Sequence, residues 1–226
     1  MQTAFDRTIS LIGEQAFDKL ARSHVLVVGL GGVGGVAVEA LARSGVGALT
    51  LMDGDIFEPT NLNRQILCTV ADLGKNKAEV AVLRVNGVNP SVNVTAIPRF
   101  LSADNIDGIF AATRFDYCID AIDDLKNKVL LIAGCKRASV PVISAMGAGN
   151  RLDCGFAVTD VFKTKDDPFA RKLRRELKAA GVAELDVVCA TSPPFIKAGT
   201  PASIAAPPMV MGAMLAGYVV QRLAGL

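Results

Sequence analysis

Two acids and two cations, Asp53, Arg64, Lys77 and Asp123, follow a glycine-rich turn in an order suited to chemistry on phosphates. The turn, Gly29-Leu30-Gly31-Gly32-Val33-Gly34, has G-x-G-x-x-G spacing. Glycines placed this way let backbone close on a phosphate and aim it at a helix N-terminus. Asp53 comes about 20 residues later, where a carboxylate can accept hydrogen bonds from ribose hydroxyls. Asp55, Asn61, Arg64 and Gln65 follow closely, and Gly74-Lys75-Asn76-Lys77 opens the next helical stretch. Arg64 and a lysine near the turn would surround phosphates with positive charge, which a nicotinamide dinucleotide does not require, so the set favours ATP. Taken singly, Arg64, Lys75 and Lys77 also fit an ordinary solvated surface. Asp120 and Asp123 end the segment 115–123. A carboxylate there, beside nucleotide phosphates, suits magnesium (Mg2+), which takes one or two carboxylates plus phosphate oxygens. Asp123 also suits the N-cap of a helix from Leu125 onward, and the two roles are compatible.

Strands must deliver these groups to one edge. Val25-Leu26-Val27-Val28 does not alternate with polar residues, so it reads as a buried parallel strand. Residues 37–44 read as a helix packed back on the sheet, and Leu49-Thr50-Leu51-Met52 as the strand that presents Asp53. The segment 115–123 is a further strand ending in acid. In open α/β sheets ligands sit outside the carboxyl ends of the strands. The expected fold is therefore a doubly wound, Rossmann-like α/β domain with a mainly parallel sheet and a C-terminal extension.

Length and composition agree with one domain. The chain has 226 residues, of which 51% are hydrophobic, enough for a buried sheet. Net charge is +2, so the whole molecule is not an electrostatic nucleic-acid binder. Charge is nonetheless uneven: Lys163, Lys165, Arg171, Lys172, Arg174, Arg175 and Lys178 crowd one segment, against Asp166, Asp167 and Glu176. That segment reads either as a solvated helix face or as a patch that neutralises RNA phosphates. The five cysteines form no C-x-x-C pair, which argues against a structural zinc site. Their odd number and the lack of a signal peptide point to a reducing cytoplasm. Cys118 and Cys135 read as buried and inert, whereas Cys189, in a polar, loop-like stretch, reads as open to reaction. The single histidine, His24, falls on the amino side of the first strand, away from the ligand edge. Residues 208–220 carry no charge, but this is shorter than the roughly 20 residues of a membrane helix. A buried helix after Pro207-Pro208 is expected there, at a dimer interface, with peripheral membrane attachment as the alternative and no stable insertion. Residues 181–206, with Pro193-Pro194 and Pro201, read as an irregular crossover loop.

The ordered motifs G-x-G-G-x-G, D-x-D, N-x-N-R-Q, G-x-x-K and D-A-x-D resemble the adenylate-forming superfamily of ubiquitin-activating enzymes and bacterial sulfur-carrier adenylyltransferases. The likeness covers residues 5–148. It implies ribose binding by Asp53, triphosphate binding by Arg64 and Lys77, and a magnesium-linked Asp123. Arg7, in Arg7-Thr8-Ile9, resembles an arginine that reaches the ATP of the other subunit of a homodimer. Ile119-Asp120-Ala121-Ile122-Asp123, Gly147-Ala148-Gly149, Val158-Thr159-Asp160, the run from Lys163 to Pro168 and the basic helix after it are most similar to the tRNA threonylcarbamoyladenosine dehydratase branch. This extends the likeness to nearly the whole chain. It implies ATP-dependent dehydration of threonylcarbamoyladenosine in tRNA, with Lys163, Arg171, Arg174 and Arg175 facing the tRNA. A sulfur-relay protein is a possible partner on the same ground. A sulfur-carrier adenylyltransferase acting on a C-terminal Gly-Gly is the alternative.

Overall fold

The apolar run at the first strand forms an inner strand of a seven-stranded sheet in a computed structural model that describes residues 4–165, 167–196 and 202–226. The strands are β1 (His24–Val28), β2 (Ala48–Met52), β3 (Asn93–Ile97), β4 (Tyr117–Asp120), β5 (Val142–Ala145), β6 (Phe156–Asp160) and β7 (Asp186–Ala190). Their order is β3-β2-β1-β4-β5-β7-β6, and every neighbouring pair is parallel except β6 with β7. Order reverses between β1 and β4, which opens a crevice at their carboxyl ends.

Helices cover both faces. α3 (Gly34–Ser44), α4 (Lys77–Val88) and α8 (Ala206–Ala224) pack on one side with α2 (Glu14–Arg22), while α5 (Ile106–Ala112), α6 (Leu125–Arg137) and α7 (Pro168–Ala179) pack on the other. α1 (Asp6–Ile12) buries none of its residues. The doubly wound expectation holds.

The C-terminal helix starts with Pro207 and Pro208 inside its first turn and lies on α3. Gly212 makes that approach possible, since a Cβ there would stand 2.3 Å from the Val33 carbonyl oxygen. No helix among the described residues is long and apolar enough to cross a membrane.

Residues 181–206 are not wholly irregular. β7 runs through them, with Val187, Val188 and Cys189 buried between β5 and β6. A short buried strand has no alternation to announce it, and the prolines that suggested a loop lie beyond its end; Pro201 is outside the described residues. His24 stays at the amino edge, where Nε2 lies 2.9 Å from Thr50 Oγ1 and burial lowers the imidazole pKa.

Candidate active site

The crevice is a cavity of about 820 Å³. Its first wall is the glycine turn. Gly29 has φ +89°, and a Cβ there would meet the Ala121 carbonyl oxygen at 2.6 Å, so only glycine lets β1 and β4 turn away this close together. Gly29, Gly31 and Gly32 line the cavity. Gly34 does not: a Cβ on it would lie 1.8 Å from the Gly29 oxygen. It is the glycine that lets α3 sit against its own turn, rather than a wall of the site.

The second wall is the end of β2. Asp53 accepts hydrogen bonds from Leu30 N at 2.7 Å and Asp55 N at 2.8 Å, so it fixes the glycine turn as well as facing the cavity. Burial raises its pKa, opposed by those bonds. Asp55 pairs with Lys77 Nζ at 3.1 Å, and Lys77 is itself buried at the start of α4, where Asn76 is the N-cap. Arg64 donates to Thr60 O and Asn63 Oδ1, both at 2.9 Å, and still lines the cavity. Asn61 is absent from the wall; its side chain and that of Glu58 form a reciprocal cap around the turn Pro59–Asn61, which makes it a support for Arg64.

Gln65 is 6% exposed, lines the cavity, and its Oε1 is a buried acceptor with no hydrogen-bond partner. A buried acceptor left open beside a cavity fits a ligand that brings a donor. Asp123 is exposed on the wall made by the turn after β4. Asp124, not Asp123, caps α6, accepting from Asn127 N at 2.8 Å. The cap needs no help from Asp123. Among the described residues no group of three or more acidic, histidine or cysteine side chains could hold a metal. Asp123, a single exposed carboxylate on the cavity wall, is the donor type that a magnesium held mainly by phosphate oxygens would take from a protein.

Below this turn lies a buried ion pair that sequence reasoning missed. Lys128 and Asp120 are both fully buried and 2.8 Å apart. Lys128 Nζ also donates to Ser144 Oγ at 3.0 Å and Ala145 O at 3.1 Å. Ser144 Oγ donates to Asp120 Oδ2 at 2.6 Å, and Ile122 N to Asp120 Oδ1 at 3.0 Å. A lysine in a first helical turn reads from sequence as solvated, and its position one turn after the D-A-x-D acids was the only signal.

The remaining walls come from later in the chain. Asn150, at φ +60°, donates its backbone N–H to Ala202 O, accepts from Phe195 N through its carbonyl, and accepts from Ala202 N through Oδ1. Arg151, 5% exposed, donates to Gly147 O and Ser192 O. Thus Asn150 and Arg151 hold Ser192, Phe195 and Ala202, and Pro194 and Ile196 face the cavity. Lys172, one turn after Phe169 on α7, lines it with Arg99. Neither was singled out as a site residue. For Lys172 the i, i+3 spacing from Phe169 was a usable signal; Arg99 gave none.

The four cations expected to face tRNA divide. Arg171 and Arg175 are exposed on α7 and Lys163 on the turn before it, and none lines the cavity. Arg174 turns inward, donating to Thr164 O at 2.9 Å and to Thr164 Oγ1. Its guanidinium anchors the turn Val161–Lys163 to α7. Asp166 is outside the described residues. Arg7 is exposed on α1 and away from this chain's own cavity.

Cys189 is corrected. It is buried on β7, and its thiol faces Asp167 Oδ2 at 3.5 Å. Burial and then the Asp167 charge push its pKa up to about 12. At pH 8 it stays a thiol, which is not the nucleophilic form. Exposed Cys154 should therefore react with Ellman's reagent within minutes, while Cys189 reacts only with unfolding. Prompt loss of both thiols in the folded protein would refute this.

A turn, acid and cation set gathered at one switch point defines a class of nucleotide-binding α/β protein. The ThiF family model matches residues 5–226, so the chain belongs to the ThiF family. A relative named tRNA threonylcarbamoyladenosine dehydratase from Bacillus subtilis (strain 168) is 34% identical over 239 aligned residues, covering 97% of this chain and 94% of the relative. A relative of the same name from Escherichia coli (strain K12) is 44% identical over 176 residues; that match spans 77% of this chain and 65% of the relative. The crystal structure of E. coli tRNA N6-threonylcarbamoyladenosine dehydratase with ATP superposes with TM-score 0.91 at 35% identity, covering 98% of this chain and 94% of that one.

Proposed function

We propose that this chain uses ATP to activate the threonyl carboxylate of threonylcarbamoyladenosine in tRNA, driving a cyclising loss of water. The observation that supports this most is the convergence of Asp53, Arg64, Lys77 and Asp123 on one cavity, in a protein that aligns almost end to end with ATP-bound dehydratase. The substrate carboxylate is ionised at neutral pH and needs no general base. The barrier is the approach of one anion to another. Arg64 and Lys77 lower it by placing fixed positive charge beside the phosphates as pyrophosphate departs. Asp53 orients the ribose, and the unpartnered Gln65 Oε1 accepts from the nucleotide. Asp123 would hold a magnesium ion, which supplies charge neutralisation on the phosphates. The adenylate is then attacked from within the same modification. One carboxyl C–O bond breaks, a ring closes and AMP leaves, with no acyl bond to the enzyme.

Residues 5–148 form the nucleotide-binding core of a single adenylating domain, and 149–226 supply the substrate-facing walls. Lys172, Lys163, Arg171 and Arg175 provide the positive side for tRNA. Incubation of tRNA carrying threonylcarbamoyladenosine with enzyme should remove the mass of one water only when ATP is present. Untouched tRNA together with adenylation of a Gly-Gly-tailed carrier would make the sulfur-carrier alternative correct.

The active form is a homodimer in which Arg7 serves the other subunit's ATP. The position of Arg7 on the exposed α1, away from its own cavity, supports this, and isologous pairing is the commonest assembly. Mixing inactive Arg7→Ala and Asp123→Ala subunits should restore part of the activity, because one site of each mixed dimer carries neither defect. No recovery after verified exchange means that Arg7 does not act across an interface.

A further inference from the structure

Lys128 is a charge that helix formation does not ask for. It sits in the first turn of α6, where the macrodipole disfavours a cation. It is fully buried with an equally buried partner, an arrangement that well-packed apolar side chains of similar size often replace without loss of stability. Stability of the fold therefore gives a poor account of the pair, and its contacts suggest another.

The three ammonium protons go to Asp120, Ser144 and Ala145, so one atom joins α6 to the carboxyl ends of β4 and β5. Asp120 spends its other oxygen on Ile122 N, which fixes the turn that carries Asp123. The Phe169 ring on α7 stands 5.9 Å from the same ammonium. Ala121, Ile122, Asp123, Ala145 and Phe169 all line the cavity. Every group the cation touches except Ser144 and Asp120 is thus itself a wall of the cavity, and Asp120 bonds directly to the wall that carries Asp123. A neutral side chain would fill the volume without fixing these groups relative to one another.

We infer that Lys128, with Asp120 and Ser144, is a positioning device that sets where Asp123 stands relative to bound nucleotide. It touches no reacting atom and acts through the turn at 121–123. The inference rests on the proposed role of Asp123 toward ATP.

The test is a thermodynamic cycle on ATP binding, read by calorimetry with magnesium present, so turnover is not needed. The variants are Asp120→Asn with Lys128→Met, which removes both buried charges together, Asp123→Ala, and all three combined. The charge-removing pair should weaken ATP binding about tenfold, and should weaken it no further once Asp123 is alanine, because both act at the same point. Ser144→Ala, which leaves the ion pair in place, should give a smaller change in the same direction. If the losses multiply, or if Ser144→Ala and the charge-removing pair both bind ATP like the wild type, the inference is wrong. If the charge-removing pair does not fold, Ser144→Ala decides alone: an unchanged affinity overturns the device, and a weakened one that vanishes in the Asp123→Ala background supports it. Failure of the wild type to bind ATP at all would instead overturn the proposed function.

Discussion

Asp123→Ala is expected to lower ATP-dependent turnover by roughly 10²–10³-fold, the range for losing one preorganised electrostatic element of a site. The protein should keep its fold, because Asp124 already caps α6 and Asp120 already holds the turn. Asp123 is an exposed carboxylate on a cavity wall, and no part of the core depends on it. The measurement is pyrophosphate release across a magnesium titration, alongside a thermal melt. Turnover near wild type at limiting magnesium would remove Asp123 from the site. A parallel Arg64→Ala variant should lose more in rate than in AMP affinity, since its charge is aimed at phosphates that AMP lacks; equal losses would place the contact elsewhere.

Gly34→Ala should be strongly destabilising. The added Cβ would stand 1.8 Å from the Gly29 carbonyl oxygen and 3.2 Å from Ala121 Cβ. Relief requires moving α3 away from the turn, and α3 carries Val38 and Leu41 of the buried core. Overpacking in a rigid core costs about 1–3 kcal/mol, and a clash with backbone falls at or beyond the upper end. Gly87→Ala is the control, because it lies in α4 with nothing within 4 Å of its added methyl. That change should stabilise by up to about 1 kcal/mol. Chemical denaturation of both variants reads the contrast, and a Gly34→Ala midpoint equal to wild type would show that the turn relaxes freely.

The nucleotide side of the site was legible because its signals are local. A glycine turn, an acid at a strand end and a lysine after an asparagine cap each announce themselves within a few residues. Local reading failed where a residue's partner is distant. Lys128 finds Ser144 across two elements, and Arg174 finds Thr164 on the far side of a turn. Both are cations on helices, which in isolation read as solvated. Asn61 and Gly34 were assigned to the nucleotide on motif spacing, yet their side chain and missing side chain serve the scaffold. For β7, five residues with little alternation carried too weak a period to outweigh the prolines beyond it.

The single antiparallel strand has a consequence for how this domain can change. Because β6, an edge strand, runs against β7, it begins at the carboxyl edge of the sheet, where β5 and β7 end. The segment before β6, 146–155, and the residues that follow β7 from Thr191 to Ile196 therefore emerge on the cavity side. The connection from α7 to β7, with Gly181 at φ +73° and exposed Ala183 and Glu184, turns at the opposite edge. Chain length is thus free to drift at one pole of the domain and constrained at the other. A tag or fluorophore inserted beside Ala183 would ride on a silent surface, whereas one added residue near Asn150 would move the wall that meets the substrate.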